Sequence, residues 1–448
     1  MKTRSISLLA LVLVFVPSRP ALSADTNWPQ FRGPGSAGAS ADTAIPEKWS
    51  ATENVEWKID LPGRSWSSPI VWGDRVFMTS VLNSGESEMP KKGLYFGGER
   101  PQPSKSEHQW KVLCLDLATG KVKWERTVHS GTPATPIHLK NSYGSETPVT
   151  DGQRVYAMFG GVGLFALTLD GEEVWSRPIE PRKMRNGWGT AASPVLHDGR
   201  LFVVNDNDEH SELYALDAAT GKQLWQVDRE EKSNWSTPFI WKDDQRVELV
   251  TSGTNAVRSY DCDGKLLWSL HGMSSIVIPT PLAGGGLLYV ASGYVLDPLR
   301  PIYAIRPGAQ GDITLKNGQP DNEFVAWSLR SAGPYNTSPL FVDGRLFVLY
   351  DMGYASCFDA KTGRAFYERQ RLPDGRAFTA SPWTAAGRIY CLNESGVCYV
   401  LGAGEKFELL HTNALSDDDM CMATPAIAGD RLLIRTSARV YCIRSKTR

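Results

Sequence analysis

The sequence predicts an all-β chain: one eight-bladed β-propeller of four-stranded antiparallel blades, with the ring closed by an N-terminal strand. Two observations carry this. First, one phrase recurs eight times in one order: two small residues and a proline, an apolar run, a Gly/Asp turn and a β-rich run. Its prolines are Pro69, Pro148, Pro194, Pro238, Pro281, Pro339, Pro382 and Pro425, and four of the seven spacings are 43 or 44 residues. A period of about 40–45 residues with four short strands per unit is the mark of a propeller blade. Second, most copies are followed by a strand, a tight turn and a strand that starts near a Trp. Ser211–Trp225, SELYALDAATGKQLW, is the clearest case. Gly221 there suits a turn needing positive φ.

The elements follow in chain order. Residues 1–24 carry Lys2 and Arg4 ahead of the apolar run Ile6–Val16, then small residues at Ala21–Ala24, which reads as a signal peptide. The run is shorter than the ~20 apolar residues a membrane span needs. Residues 25–50 are rich in Gly, Pro, Ser and Ala and form an irregular arm, pinned to the ring by Trp28, Phe31 and Trp49. Residues 51–448 are the propeller. Val55–Leu61 reads as the Trp-bearing last strand of a blade, yet it precedes the first proline phrase. The eighth copy ends after three strands, so Val55–Leu61 is expected to complete blade 8, with Trp57 as its anchor.

The strand–turn–strand repeat resembles that of the pyrroloquinoline-quinone-type (PQQ-like) propeller family, whose blades carry A-x-D-x-x-T-G-K-x-x-W. Cys114–Trp124 and Ala215–Trp225 match this closely and the other blades in part. The resemblance covers nearly all of the chain after residue 50 and speaks to fold rather than activity. WPQFRGP, from Trp28, is similar to the opening of many secreted propellers of this family.

The formal net charge of −1 gives no global field toward nucleic acid or anionic lipid. An exported, non-spanning monomer is expected. Three of the seven cysteines, Cys114, Cys357 and Cys442, share a repeat slot with Ala166, Ala215, Ser259 and Ala304, so they read as small packing residues. Cys391 and Cys398 flank the turn Asn393–Gly396; a disulfide and two free thiols both fit that spacing. No cysteine or histidine has zinc-ligand spacing.

Naming the strands A to D outward from the axis sorts the loops. The A–B and C–D turns share one face and are short and repetitive. The B–C and D–A connectors share the other face, and there the blades differ. Blade 1 carries long segments at Leu82–Gln109 and Val128–Glu146, blade 3 has Asn205–His210 and blade 5 has Gly293–Pro301. Varied loops on a rigid scaffold are where binding resides. Arg306–Glu323, on the opposite face, reads as a polar excursion.

Residues just ahead of each proline phrase ring the funnel. They are Arg64 and Trp66, Tyr143 and Glu146, Asn186 and Trp188, Lys232, Asn234 and Trp235, Tyr335 and Asn336, and Phe378. Six blades put an aromatic within six residues of the proline, and Arg64, Lys232 and Arg182–Arg185 add positive charge. This set suits a mouth for a planar or anionic ligand, or for a peptide; it equally suits a plug of the channel.

No metal-protease, serine-hydrolase or phosphate-loop motif occurs. Asn205–Glu209 is acidic but lacks the regular spacing of a calcium loop. Asp417–Asp419 reads as a solvated loop. The resemblance then implies two functions. One is a non-catalytic scaffold similar to the propeller subunit of the outer-membrane barrel-assembly machinery, binding an envelope protein or peptide. That subunit's lipid-attachment Cys has no counterpart here. The other is a quinoprotein alcohol or sugar dehydrogenase, whose cofactors are PQQ and calcium. That group carries adjacent bonded cysteines above the quinone, and this sequence has no Cys-Cys. Glu146, Asn186 and Asn234 are the residues that would stand in for its calcium ligands.

Overall fold

The computed structural model describes residues 26–40, 45–86, 88–316, 318–415 and 419–445; the expected signal segment, 1–24, lies outside them. Eight separate sheets each have an antiparallel core of four strands, in sequence order in seven of them. Blade 1 runs from its inner strand Ile70–Trp72 through Arg75–Asn83 and His108–Asp116 to Val122–Gly131. Blade 8 joins Ala426–Ala428, Arg431–Arg435 and Arg439–Ile443 to Val55–Asp60. In that last sheet Trp57 pairs with Cys442 and Asp60 with Arg439. The two ends of the chain thus share one blade, as expected, and neither leaves a free sheet edge inside the ring.

The small slot and the large anchor face each other across strands C and D. Cys114 pairs with Trp124, Ala166 with Trp175, Ala215 with Trp225, Ser259 with Trp268 and Ala304 with Trp327. A larger C-strand residue there would push the indole off the sheet. Five of the anchor Trp residues also reach the next blade. Trp57 Nε1 donates to the Leu117 carbonyl, Trp124 to Leu169, Trp175 to Ala218, Trp225 to Cys262 and Trp327 to Ala360, all at 2.9–3.0 Å. Aromatic and hydrogen-bonded burial is combined in one side chain.

The proline phrase has its own physical reason. The residue before every proline is Ser or Thr. At six junctions its backbone N–H donates to the hydroxyl of its counterpart in the next blade. Ser68 N–H meets Thr147 Oγ1 at 2.9 Å, Thr147 meets Ser193 and Ser193 meets Thr237. Thr280 meets Ser338, Ser338 meets Ser381 and Ser381 meets Thr424. Proline fixes φ just beyond this point. The buried inner strands are thereby tied around the axis by bonds that need no long side chain.

Two segments differ from their sequence reading. The arm does more than rest on the ring: it fills the channel at the A–B end. Trp28 exchanges backbone hydrogen bonds with Val71 of blade 1, Pro29 accepts from Thr150 of blade 2, and Gly38 accepts from Thr384 of blade 7. Ala39–Ser40 then runs parallel to the inner strand of blade 7, Trp383–Ala385. Arg306–Glu323 is no loose excursion: Gly311 and Asp312 pair in parallel with Trp268 and Ser269, as a fifth strand on the outer edge of blade 4. That segment replaces the turn on which Trp268 would dock. Trp268 Nε1 donates instead to the buried Glu248 carboxylate at 2.7 Å.

Cys391 stands opposite Tyr399, and Leu392 opposite Cys398. The offset of one residue turns the two thiols to opposite faces of the sheet, and all seven cysteines are free. Burial pushes the Cys114 thiol up to about 12, so it is a packing residue and not a nucleophile.

Candidate functional site

The loop face of blades 8, 1 and 2 is covered by the blade 1 insertion. Its Gly93 N–H donates to Glu394 Oε2 at 2.9 Å, in the B–C turn of blade 7. Lys140, from the blade 1–2 connector, bonds the Gly93 carbonyl and pairs with Glu394 Oε1. Thr379 donates to the same carboxylate oxygen at 2.8 Å. Tyr95 lies 5.6 Å from the Lys140 ammonium and is stacked on His138. The insertion therefore reaches over blade 8 and is latched to blade 7 through Gly93, on a buried carboxylate that Lys140 also pairs with.

Beneath it lies a cavity of about 500 Å³, bounded by Arg64, Arg100, Glu88, His108, His138 and Tyr143 and, from blade 8, Ser437 and Ala438. Arg100 pairs with Glu88 at 2.8 Å. Burial and the nearby Arg100 charge lower the Arg64 pKa. Burial likewise lowers His108 and His138, so both rings are neutral at neutral pH. The cavity is walled by cations, carboxylates and neutral imidazoles in mixed order.

Of the sequence-predicted ring, Arg64 and Tyr143 line this cavity. Most of the others pack against one another or against the blades. Trp66 is buried and donates to the Lys140 carbonyl at 2.7 Å. Trp235 is buried and donates to the Gly189 carbonyl at 2.6 Å. Trp188 lies 5.7 Å from Trp235, and Tyr335 lies 5.3 Å from Tyr294. These rings join Met184 and Ile276 in one cluster. Phe378 is fully buried, 5.9 Å from Tyr399. Asn186 and Lys232 are exposed, and Asn336 is half-buried.

Glu146 is buried and turned between blades, where it accepts from Thr190 Oγ1 at 2.5 Å and Gly160 N–H at 3.2 Å; burial raises its pKa. Asn234 donates to Asp206, which is held by Arg229 at 2.7 Å with both side chains fully buried. Asp208 accepts from Ser233, and Glu209 accepts from Lys183 N–H. The acidic loop Asn205–His210 thus spends its carboxylates on protein donors. Asp417 and Asp418 lie outside the described residues, but Asp419 is buried rather than solvated, accepting from Thr436 and Ser437.

Sequence reasoning missed Lys140, Glu394, Arg100 and His108. Their only signal is a place on the variable face, because they lie outside the short window before each proline.

An eight-bladed ring with Trp-anchored C–D hairpins and this loop face defines a PQQ-like propeller. More particularly, the chain belongs to the family described as "Outer membrane protein assembly factor BamB", whose model matches residues 48–208 and 162–301, more than half of the chain. A polyvinylalcohol dehydrogenase from a Pseudomonas species is 25% identical over 255 residues, 53% of this chain and 31% of that protein. BamB from Burkholderia pseudomallei is 23% identical over 247 residues, 46% of this chain and 61% of that protein. The chain thus spans from about a third to about three fifths of the length of these two relatives.

Among solved structures, quinohemoprotein alcohol dehydrogenase from Comamonas testosteroni superposes with a TM-score of 0.57 at 12% identity, over 94% of this chain and 81% of that one. A europium-containing methanol dehydrogenase gives 0.51 at 12% identity, over 84% and 89%. At these identities the likeness is one of fold.

The residues present do not fit the quinone and calcium that the resemblance implies. No adjacent cysteine pair exists to lie above a quinone. Glu146, Asn186 and Asn234 do not converge: the first faces Thr190, the second faces solvent and the third faces Asp206. Among the described residues no three His, Cys, Asp or Glu side chains stand close enough to hold a metal ion.

Proposed function

We infer that the protein is an exported, non-catalytic binding scaffold whose loop face holds an envelope protein or peptide. One observation carries this reading. Twelve large apolar side chains are exposed among the described residues, and eight of them belong to the loop face: Leu82, Met89, Leu94, Tyr95, Phe96, Val295, Leu296 and Met352. The other four lie on outer strands, just ahead of the blade Trp residues, and none lies in an A–B or C–D turn. Phe96 is 82% exposed, Leu296 64% and Met89 61%. Apolar side chains gathered on one face of a soluble domain mark an interaction surface.

Arg64, Lys232 and Asn186 give that surface a polar rim, and the rings of Trp188 and Tyr335 stiffen it from beneath. The name of the matched family, an assembly factor, agrees with a protein that holds other proteins. No helix among the described residues is long and apolar enough to cross a membrane. Residues 1–24 remain the basis for export.

The test is capture of envelope proteins by the wild type, by Phe96→Ser with Leu296→Ser, and by Leu224→Ser as a control. The loop-face variant loses specific capture with unchanged melting, and the outer-strand control retains it. Equal capture by all three excludes this face. The similarity to polyvinylalcohol dehydrogenase supports a second reading, a PQQ-dependent oxidoreductase. Adding PQQ and calcium to the purified protein tests it: a bound chromophore with dye reduction by alcohols establishes that reading, and an unchanged spectrum removes it.

A further inference from the structure

One wall of the cavity under the blade 1 insertion carries an excess of positive charge. Arg64 enters it from the connector into blade 1, where its backbone N–H donates to the Val81 carbonyl at 2.9 Å and its carbonyl accepts from Val81 N–H at 3.1 Å. Arg100 comes from the insertion itself. Glu88 holds the two side by side. Its carbonyl accepts from Arg64 Nη1 at 3.3 Å, and its carboxylate pairs with Arg100 Nη2 at 2.8 Å. All three residues line the cavity. The closeness is felt electrostatically, since burial and the Arg100 charge together lower the Arg64 pKa. One carboxylate thus serves two guanidiniums. The other lining carboxylate, Glu86, is exposed, where water and salt screen it.

Much of the remaining lining is apolar. Val81 and Leu139 are buried and Ile137 is half-buried. Leu82 and Met89 line the cavity too and belong to the exposed apolar set, so the cavity is continuous with the proposed interaction surface.

His108, also in the lining, is only 4% exposed. Its Nδ1 lies 2.9 Å from the Ser106 carbonyl, which can only accept, so the ring proton sits on Nδ1. Nε2 is then an acceptor, and no donor among the described residues meets it. Tyr143 packs edge-on against the ring at 5.2 Å, and its hydroxyl donates to the Thr135 carbonyl at 3.0 Å. Buried acceptors are normally satisfied, so this one calls for a donor from a ligand.

We propose that the cavity takes the free C-terminal end of a peptide: its carboxylate on Arg64 and Arg100, an apolar last side chain against Val81, Ile137 and Leu139, and a backbone N–H on His108 Nε2. The inference rests on the binding-scaffold reading and names what the partner presents. Guanidiniums offer N–H forks that match a carboxylate. A cavity of about 500 Å³ is of the size that encloses a drug-sized ligand, and so a short chain end. An internal apolar segment would bring no charge to the arginine wall, and a free fatty acid would bring no donor to His108.

The test uses the purified full chain and two pools of random hexapeptides with apolar last residues, labelled at the N-terminus with fluorescein. One pool ends in a free carboxylate and the other in an amide, and anisotropy reads binding. The carboxylate pool binds about tenfold more tightly, the worth of one charge-assisted hydrogen bond. Arg100→Gln narrows that difference with unchanged melting, because the Glu88 pair it breaks is largely exposed. Adding Arg64→Gln erases the difference, and Arg100→Gln alone decides if the double variant does not fold. Equal binding of the two pools, binding of neither, or a difference unchanged in Arg100→Gln overturns the proposal. Octanoate bound where the carboxylate pool is not assigns the site to a free acid and overturns it too. Envelope capture that still depends on Phe96 and Leu296 in any of these cases leaves the scaffold reading standing without the chain-end site.

Discussion

Gly120 lies flat against the indole of Trp57: a Cβ added there would sit 2.5 Å from the ring. Trp57 comes from the strand that completes blade 8 and Gly120 from the C–D turn of blade 1, so this contact closes the circle. The same lock recurs at Gly171 on Trp124, Gly221 on Trp175, Gly264 on Trp225 and Gly363 on Trp327. The recurring turn Gly and Trp are therefore two halves of an inter-blade joint.

Trp57→Ala removes the indole and its bond to the Leu117 carbonyl, at a cost of about 3–5 kcal/mol in unfolding free energy. Gly120→Ala places a side chain at φ +71° against that ring and destabilises as well. Urea midpoints measure both. Wild-type midpoints for the two variants mean that the ends do not hold each other.

Blade 7 has His411, opposite Val400, where six blades have the Trp and blade 6 has Tyr367. Trp49 of the arm fills the gap, stacked on Tyr390 at 6.1 Å. Trp124 and Trp327 stand 6.0 Å from Phe77 and Tyr289, the corresponding rings of their blades. Trp49→Ala is expected to cost about 3–5 kcal/mol and to open the arm to protease. An uncut arm in that variant contradicts the substitution of Trp49 for the missing anchor.

Glu146 carries no paired cation, and burial raises its pKa above the ordinary 4.5. Its folded form holds the proton more tightly than the unfolded chain does. The stability it contributes is therefore complete below about 4.5 and is lost as pH rises through the folded value. Glu146→Gln keeps an acceptor for Thr190 and is expected to melt higher than wild type at neutral pH, with the gap closing toward pH 4. A gap that widens on acidification reverses the sign and refutes the assignment.

All seven thiols are free. Maleimide labelling without prior reduction gives seven adducts after denaturation and almost none in the native fold. Two fewer adducts after denaturation reveal a disulfide.

The ring was legible because it is periodic: eight proline phrases, Trp-anchored hairpins and an unfinished last copy fix blade count and closure. What escaped depends on partners far apart in the chain. Trp49 stacks on Tyr390, and the 306–323 segment pairs with Trp268; neither contact has a local pattern. The pairing of Cys391 with Tyr399 turned on one residue of register, which a turn of unknown type does not disclose. At the site, an aromatic close to an inner strand did not reveal whether it faces the funnel or a neighbour. Trp66, Trp235 and Phe378 are buried, and Lys140 with Glu394 meets only through the fold.

The most direct measurement places a photo-crosslinking amino acid at Phe96 on the loop face and, separately, at Leu224 on an outer strand, in cells producing the protein. The binding-scaffold account predicts one discrete protein adduct from position 96 and none from position 224. Adducts from position 224 alone, or none from position 96 while other sites on the same face also stay silent, would contradict it.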